Sequence, residues 1–230
     1  MGQPAYGDDG SSIPAIIPRR NMSELAKPTL RRLVDAIVAN DETQFSGMLA
    51  GASELAVVKF TEGATRQAAD PAVNFLQEIG HQIYAGDTAL HFAAAAYRPR
   101  MVEQLLGAGA AVRARNRRGG EPLHAACFGN PNSPAWNPAA QVATIESLIG
   151  AGADPNAGNL EGATPLHRAV RTRCAEAVRT LLAHGADPSL RNKNGSTAGE
   201  LARHTTGRSG SGTPEAKSQQ QAILLLLERH

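Results

Sequence analysis

The sequence is poor in the residues that build aromatic cores, disulfide frameworks and membrane spans. Aromatic residues make up only 4% of the 230 residues, so we expect an apolar interior of leucine and alanine, built from small units. The two cysteines, Cys127 and Cys174, favour neither a disulfide framework nor a zinc site, and they fit a reducing, cytoplasmic compartment. The apolar clusters at 13–17 and 224–227 are too short to span a membrane.

Recognisable catalytic patterns are missing as well. The sequence has no Gly-rich phosphate loop after a strand, no paired catalytic carboxylates in a supporting context and no Cys/His spacing typical of a metal site. The net charge of +2 comes mostly from arginine, since lysine occurs only at Lys27, Lys59, Lys193 and Lys217. A charge this small neither requires nor excludes an acidic partner. We therefore predict no enzyme activity, no cofactor and no metal.

The sequence does contain a four-residue motif that occurs four times. Thr-Ala-Leu-His begins at Thr88, Glu-Pro-Leu-His at Glu121 and Thr-Pro-Leu-His at Thr164, and a degenerate copy begins at Thr197. The starts are 33, 43 and 33 residues apart, so a unit of fixed length recurs and one copy carries ten extra residues. A second motif keeps the same spacing at 105–110, 148–153 and 181–186. It consists of two aliphatic residues followed by an alanine- and glycine-rich stretch.

Each copy of the first motif predicts the start of a short helix. A threonine such as Thr164 can cap a helix by accepting a backbone N–H bond, and a proline such as Pro165 suits the first helical position. Apolar residues follow at helical spacing through a second helix, until a glycine such as Gly185 ends it in a left-handed conformation. Each unit is thus a helix, a turn, a second helix and an extended finger. Because no unit can bury its apolar faces alone, neighbours must stack.

Two motifs that recur with the same spacing resemble the ankyrin repeat. The resemblance implies an all-α fold, an ankyrin-repeat α-solenoid of paired antiparallel helices with finger loops, capped at both ends. We assign residues 1–22 to a loose N-terminal tail and 23–230 to the repeat domain. Within that domain we place an N-terminal cap unit, an inserted segment, three repeats and a C-terminal cap unit, at 23–52, 53–84, 85–118, 119–161, 162–194 and 195–230.

Two insertions depart from the family pattern. In the segment 53–84, Asp70-Pro71 and the apolar residues from Val73 to Ile83 predict an inserted helix packed on the stack. This segment either shields the first units or takes part in partner binding. The second insertion, 130–139, contains three prolines and the only tryptophan, Trp136. That side chain is either an exposed interface anchor or folds back over neighbouring alanines.

One histidine recurs in each of three units, at His91, His124 and His167. Stacking would hold these imidazoles roughly 10 Å apart, which is too far for one metal ion at about 2 Å from each ligand. We expect each imidazole instead to bond the capping residue and a backbone group of the adjoining finger. Cys127 lies three residues after His124, but it occupies a register position that is small and buried, so packing is expected. Cys174 falls at the turn between two helices.

Partner contacts in ankyrin-like proteins are made by the fingertips and by the exposed side of the inner helices. Register mapping places a row of arginines and two phenylalanines on these surfaces. The candidate partner-binding residues are Phe92, Arg113, Arg115, Arg117, Arg118, Phe128, Trp136, Arg168, Arg171, Arg191 and Lys193.

Arginine forms bidentate bonds to carboxylates, and aromatic rings supply buried contact area. The resemblance therefore implies a non-catalytic protein–protein interaction scaffold whose concave surface binds a partner protein, with an acidic segment as the candidate contact. Two alternatives stay open: the basic surface binds nucleic acid, although no recognition helix or base-stacking platform is visible, or the arginines are merely solvated. We expect a monomer with no small-molecule substrate and no membrane association.

Overall fold

The computed structural model describes residues 29–64, 74–129, 136–203 and 213–229. The predicted tail at 1–22, parts of both insertions at 65–73 and 130–135, and a Gly/Ser-rich linker predicted at 205–212 lie outside the described residues. The helices of the described ranges are α1 (Leu30–Ala39), α2 (Glu42–Gly51), α3 (Ala89–Ala95), α4 (Pro99–Gly107), α5 (Pro122–Ala126), α6 (Pro138–Gly150), α7 (Pro165–Arg171), α8 (Ala175–Ala183), α9 (Ala198–Arg203) and α10 (Pro214–Leu227).

These helices form two layers. The inner helices α1, α3, α5, α7 and α9 pack against one another in chain order, and the outer helices α2, α4, α6, α8 and α10 do the same. Leucines at one register position, Leu90, Leu123 and Leu166, are almost completely buried and belong to one continuous apolar core. Small residues surround them, which lets the short inner helices approach closely. The fold is an all-α repeat solenoid, as the sequence predicted.

The fingers are shaped by asparagine side chains that the sequence reasoning missed. Asn116, Asn159 and Asn192 each accept two backbone N–H bonds through their side-chain oxygen, from the residues two and four positions later. The glycine three positions after each asparagine has a positive φ of about 70–80°, a conformation that glycine adopts without strain. An Asn-x-x-Gly pattern at the same position of each repeat was the sequence signal that could have predicted these finger turns.

Adjoining fingers are joined edge to edge by backbone hydrogen bonds. The Arg117 N–H donates to the Ala85 carbonyl at 2.7 Å, and the Leu160 N–H donates to the Arg118 carbonyl at 3.0 Å. The Lys193 N–H continues the series by donating to the Glu161 carbonyl at 2.9 Å. The three acceptors are 33 and 43 residues apart, which is the repeat spacing, so the same backbone bond recurs along the row of fingers.

The inserted segment differs from the prediction. After a 3₁₀ turn at Ser53–Ala56, the described part forms a short antiparallel hairpin of β1 (Phe75–Leu76) and β2 (His81–Gln82). The predicted helix is therefore wrong over residues 75–83. Gly80 takes a positive φ of 62° and reverses the chain, whereas a glycine inside a helix would cost about 1 kcal/mol.

This insertion covers part of the first repeat. The Phe60 N–H donates to the Asp87 carbonyl at 2.8 Å, and the rings of Phe60 and His81 each lie 5.5 Å from the Phe92 ring in edge-to-face geometry. Phe92 is consequently 0% exposed. The prediction that Phe92 is an exposed partner contact is wrong, because its register position is open in a regular repeat and is closed here by the insertion.

The last unit replaces the recurring histidine with Glu200. The Glu200 carboxylate accepts the Thr197 N–H at 2.8 Å, and the Thr197 hydroxyl accepts the Glu200 N–H at 3.2 Å, so a reciprocal helix cap is retained. In the earlier units the histidine also donates to the following finger, and the described residues include no finger after this last unit. Among the described helices, none has the length and apolar character needed to cross a membrane.

Candidate functional site

The three repeated histidines connect units and do not form a reactive site. In each, Nδ1 accepts the backbone N–H of the capping residue, at 3.1 Å for His91, 3.2 Å for His124 and 3.3 Å for His167. Nδ1 is therefore unprotonated, and Nε2–H donates to a carbonyl of the following unit. These acceptors are the carbonyls of Gly120, Ala163 and Ser196, at 3.2, 3.0 and 3.0 Å. The predicted role of these histidines is confirmed.

The same arrangement keeps the imidazoles neutral. Burial lowers the pKa of His91, His124 and His167, and for His124 the pKa falls to about 4. A proton on Nδ1 would face the N–H that this atom now accepts, so the charged form would break the helix cap. No group of three histidine, cysteine, aspartate or glutamate side chains in the described ranges is placed to hold a metal ion.

Three of the predicted contact arginines form ion pairs with carboxylates of this chain. Arg113 lies 3.5 Å and Arg115 lies 3.8 Å from carboxylate oxygens of Glu121, which is 2% exposed. Arg115 also donates to the carbonyls of Gly119 and Gly158. Arg191 pairs with Glu200 at 3.1 Å. These arginines join neighbouring units and close the C-terminal end of the repeats.

The Glu121 carboxylate is itself unusual, because threonine stands at this position in the flanking repeats. Burial raises the pKa of Glu121, and the charges of Arg113 and Arg115 offset that effect only in part. The Oε2 atom is buried and has no hydrogen-bond partner. The first finger is therefore basic in sequence, but much of its charge serves to hold an internal carboxylate.

A second set of arginines is left for external contacts. Arg117, Arg118, Arg171 and Lys193 are exposed, Arg168 is partly exposed, and none forms an ion pair with a carboxylate of the described residues. Of these, Arg118 and Arg168 are held on aromatic rings. The Arg118 guanidinium carbon lies 5.6 Å from the centre of the Tyr84 ring, and that of Arg168 lies 5.5 Å from the centre of the Phe128 ring.

We call the residues Tyr84, Arg118, Phe128, Arg168 and Arg171 the arginine–aromatic patch. Arg168 and Arg171 stand one turn apart on α7, and Phe128 follows α5 in the preceding unit. Burial, and then the like charge of Arg171, lower the pKa of Arg168, with a further contribution from Arg118. The patch therefore concentrates positive charge from two units, and none of its arginines pairs with a carboxylate of the described residues.

Tyr84 belongs to this patch, although the sequence analysis did not propose it. Its hydroxyl donates to Gln82 at 2.7 Å, and its backbone N–H donates to the buried Asp87 carboxylate at 2.7 Å. Tyr84 stands 33 residues before Arg117, so it occupies the fingertip position of the preceding unit. Extending the register into the inserted segment would have found it.

Trp136 takes the folded-back position of the two alternatives. It is partly buried against the apolar core, and its indole N–H donates to the Gln141 side chain at 3.0 Å. Cys127 is fully buried, as its register position predicted. Cys174 is also fully buried, and it lies at the N-cap position of α8, in the turn between α7 and α8 as its register position predicted.

Burial raises the pKa of both thiols, to about 11 for Cys174, which opposes formation of a nucleophilic thiolate.

Comparison with known families agrees with this architecture. Residues 85–117 match the family described as ankyrin repeat, and residues 148–202 match the one described as ankyrin repeats (many copies). A comparison with curated proteins gives no match. Ankyrin repeats are generally protein–protein interaction modules. The stacked helix pairs, the joined fingers and these matches together show that the chain belongs to the ankyrin repeat family.

Proposed function

We propose that this protein is a non-catalytic interaction scaffold whose concave face binds an acidic segment of a partner protein through the arginine–aromatic patch. One observation carries the proposal: Arg118 and Arg168 lie against aromatic rings and have no carboxylate partner among the described residues. A stacked guanidinium loses less side-chain freedom when it binds, and its planar edge stays open for bidentate bonds to carboxylates.

The pairing pattern supports this choice of surface over the rest of the first finger. Arg113 and Arg115 are held by Glu121, so a partner carboxylate would have to compete with an internal one. Arg118, Arg168 and Arg171 face no such competition. Phe128, which is 36% exposed, adds apolar contact area beside Arg168.

The test compares the intact protein with a charge-reversal variant. The double substitution R118E/R168E should abolish capture of a set of partner proteins from a native lysate, because it turns attraction into repulsion without breaking an internal ion pair. A matched control is R179E on α8, since Arg179 pairs with Glu176 on the outer surface. Binding of a purified partner should then weaken as salt rises, and the variant should show a flatter salt dependence.

Two results would count against the proposal. If R118E/R168E retains the same proteins with the same affinity as the parent chain, the patch does not carry the interaction. If instead the parent chain binds a generic DNA duplex with a steep salt dependence and captures no protein through the patch, nucleic acid is the ligand of this surface.

A further inference from the structure

Three guanidinium groups share the arginine–aromatic patch, and this number exceeds what one carboxylate can neutralise. Arg168 and Arg171 lie one turn apart on the same helix, where side chains three positions apart are neighbours. Arg118 lies on the finger that precedes α5, and its guanidinium carbon lies 5.6 Å from the centre of the Tyr84 ring. A carboxylate carries a single charge and forms a bidentate pair with one guanidinium.

A phosphorylated side chain matches this arrangement better. At neutral pH a phosphate monoester carries a charge of about −1.5 to −2 and has three strong acceptor oxygens, so it can accept from more than one guanidinium at once. The neighbouring positive charges also disfavour one another in the free protein, since Arg171 and Arg118 both lower the pKa of Arg168. A dianion would relieve that repulsion more fully than a single carboxylate.

The residues around the arginine–aromatic patch leave its positive charge available to an external anion. Among the described residues, no carboxylate forms an ion pair with Arg118, Arg168 or Arg171, and Glu161 in the next finger is exposed. The rings of Phe128 and Tyr84 lie beside the guanidinium groups of Arg168 and Arg118, and this contact limits the positions that their N–H donors can take.

We infer that the arginine–aromatic patch binds a phosphoserine or phosphothreonine side chain of the partner protein, and this inference rests on the proposed function of the same surface.

The experiment uses the full chain and three degenerate peptide mixtures that differ only at one fixed central residue, which is serine, glutamate or phosphoserine. The immobilised chain should retain the phosphoserine mixture at least about tenfold more than the glutamate mixture, and both more than the serine mixture. Free inorganic phosphate should displace the phosphoserine mixture at a lower concentration than it displaces the glutamate mixture.

The variant R168K separates phosphate recognition from plain charge attraction. Lysine keeps the positive charge but loses the planar pair of donors, so R168K should lose most of the preference for phosphoserine over glutamate and keep its binding to the glutamate mixture. R179K on the outer helix α8 is the matched control and should behave like the parent chain. Circular dichroism and denaturant unfolding check that each variant is folded.

The outcomes distinguish the two proposals. Equal retention of the glutamate and phosphoserine mixtures overturns the phosphate inference and leaves the acidic-segment proposal in place. Retention of neither above the serine mixture contradicts both. A phosphoserine preference that survives in both R168K and R118K shows that the phosphate binds elsewhere, which also overturns the assignment to this patch.

Discussion

Acid should destabilise this protein through its buried histidines, and His124 allows the effect to be worked out. Burial lowers the pKa of His124 from 6.5 to about 4 in the folded state. Below the ordinary value the unfolded chain therefore binds more protons than the folded one, so stability is full above that pH and falls as pH decreases. The difference in pKa corresponds to a loss of about 3 kcal/mol, of which about 2 kcal/mol is gone by about pH 5.

The variant H124Q isolates this contribution. Glutamine at the third helical position can still accept the Glu121 N–H, but it does not titrate and cannot also reach the Ala163 carbonyl. At about pH 7 we expect H124Q to be less stable than the parent chain by about 1–3 kcal/mol, the cost of an unpaired buried group. Because only the parent chain loses stability at His124 on acidification, the two proteins should converge at about pH 5.

The measurement is the free energy of unfolding by urea, followed by far-ultraviolet circular dichroism at several pH values. H184Q is the control, because His184 is exposed at the end of α8 and its ring contacts only the Thr180 carbonyl of its own helix, so this variant removes a histidine that does not bridge two units. His91 and His167 have their pKa lowered too, so the parent chain should lose more than His124 alone explains. An H124Q variant whose stability falls with acid as steeply as that of the parent chain would refute this account.

Four further outcomes follow from the described contacts. E121T should stabilise the protein by about 1 kcal/mol at about pH 7, because it removes a buried carboxylate whose Oε2 atom has no hydrogen bond, and most of the gain should be lost in urea titrations at about pH 4, where that carboxyl is largely protonated in both states. G129A should destabilise by about 1–3 kcal/mol through overpacking, since a Cβ there would lie 2.3 Å from the Cys174 sulfur. In contrast, G47A should stabilise α2 by about 0.5–1 kcal/mol, because nothing lies within 4 Å of its new methyl group. Trp136 should show blue-shifted fluorescence in the free protein and shift to the red on unfolding, and emission typical of a fully hydrated indole in the folded state would contradict its partly buried position.

The candidate site was predictable in part, because register gives the position of a residue in its unit but not its neighbours. Register predicted that Arg118, Arg168 and Arg171 lie on the surface proposed to contact a partner, and the structure shows them exposed or partly exposed. It also placed Arg113 and Arg115 there, but could not show that a buried Glu121 engages them. Which arginines are free depends on side-chain contacts between units, and the repeat spacing carries no information about those contacts.

The insertion shows a second limit. Apolar residues between Val73 and Ile83 fit a helical spacing, yet the described chain turns at Gly80 and pairs two short strands. Short apolar runs often fit both periods, so packing against the first repeat decides between them. The same packing buries Phe92 beneath Phe60 and His81, a result that no local pattern in α3 indicates.

The sequence by itself determined the stacked helix pairs and the bridging role of the three histidines, because both arise from interactions repeated at one spacing along the chain. Only the tertiary structure decided which arginines remain unpaired, that Tyr84 joins them, and that the insertion closes the first repeat. These features depend on side-chain contacts whose partners differ from unit to unit, such as Arg113 with Glu121, Arg118 with Tyr84 and Phe60 with Phe92. A repeat fixes what its copies share, and the candidate binding surface is made from the positions at which they differ.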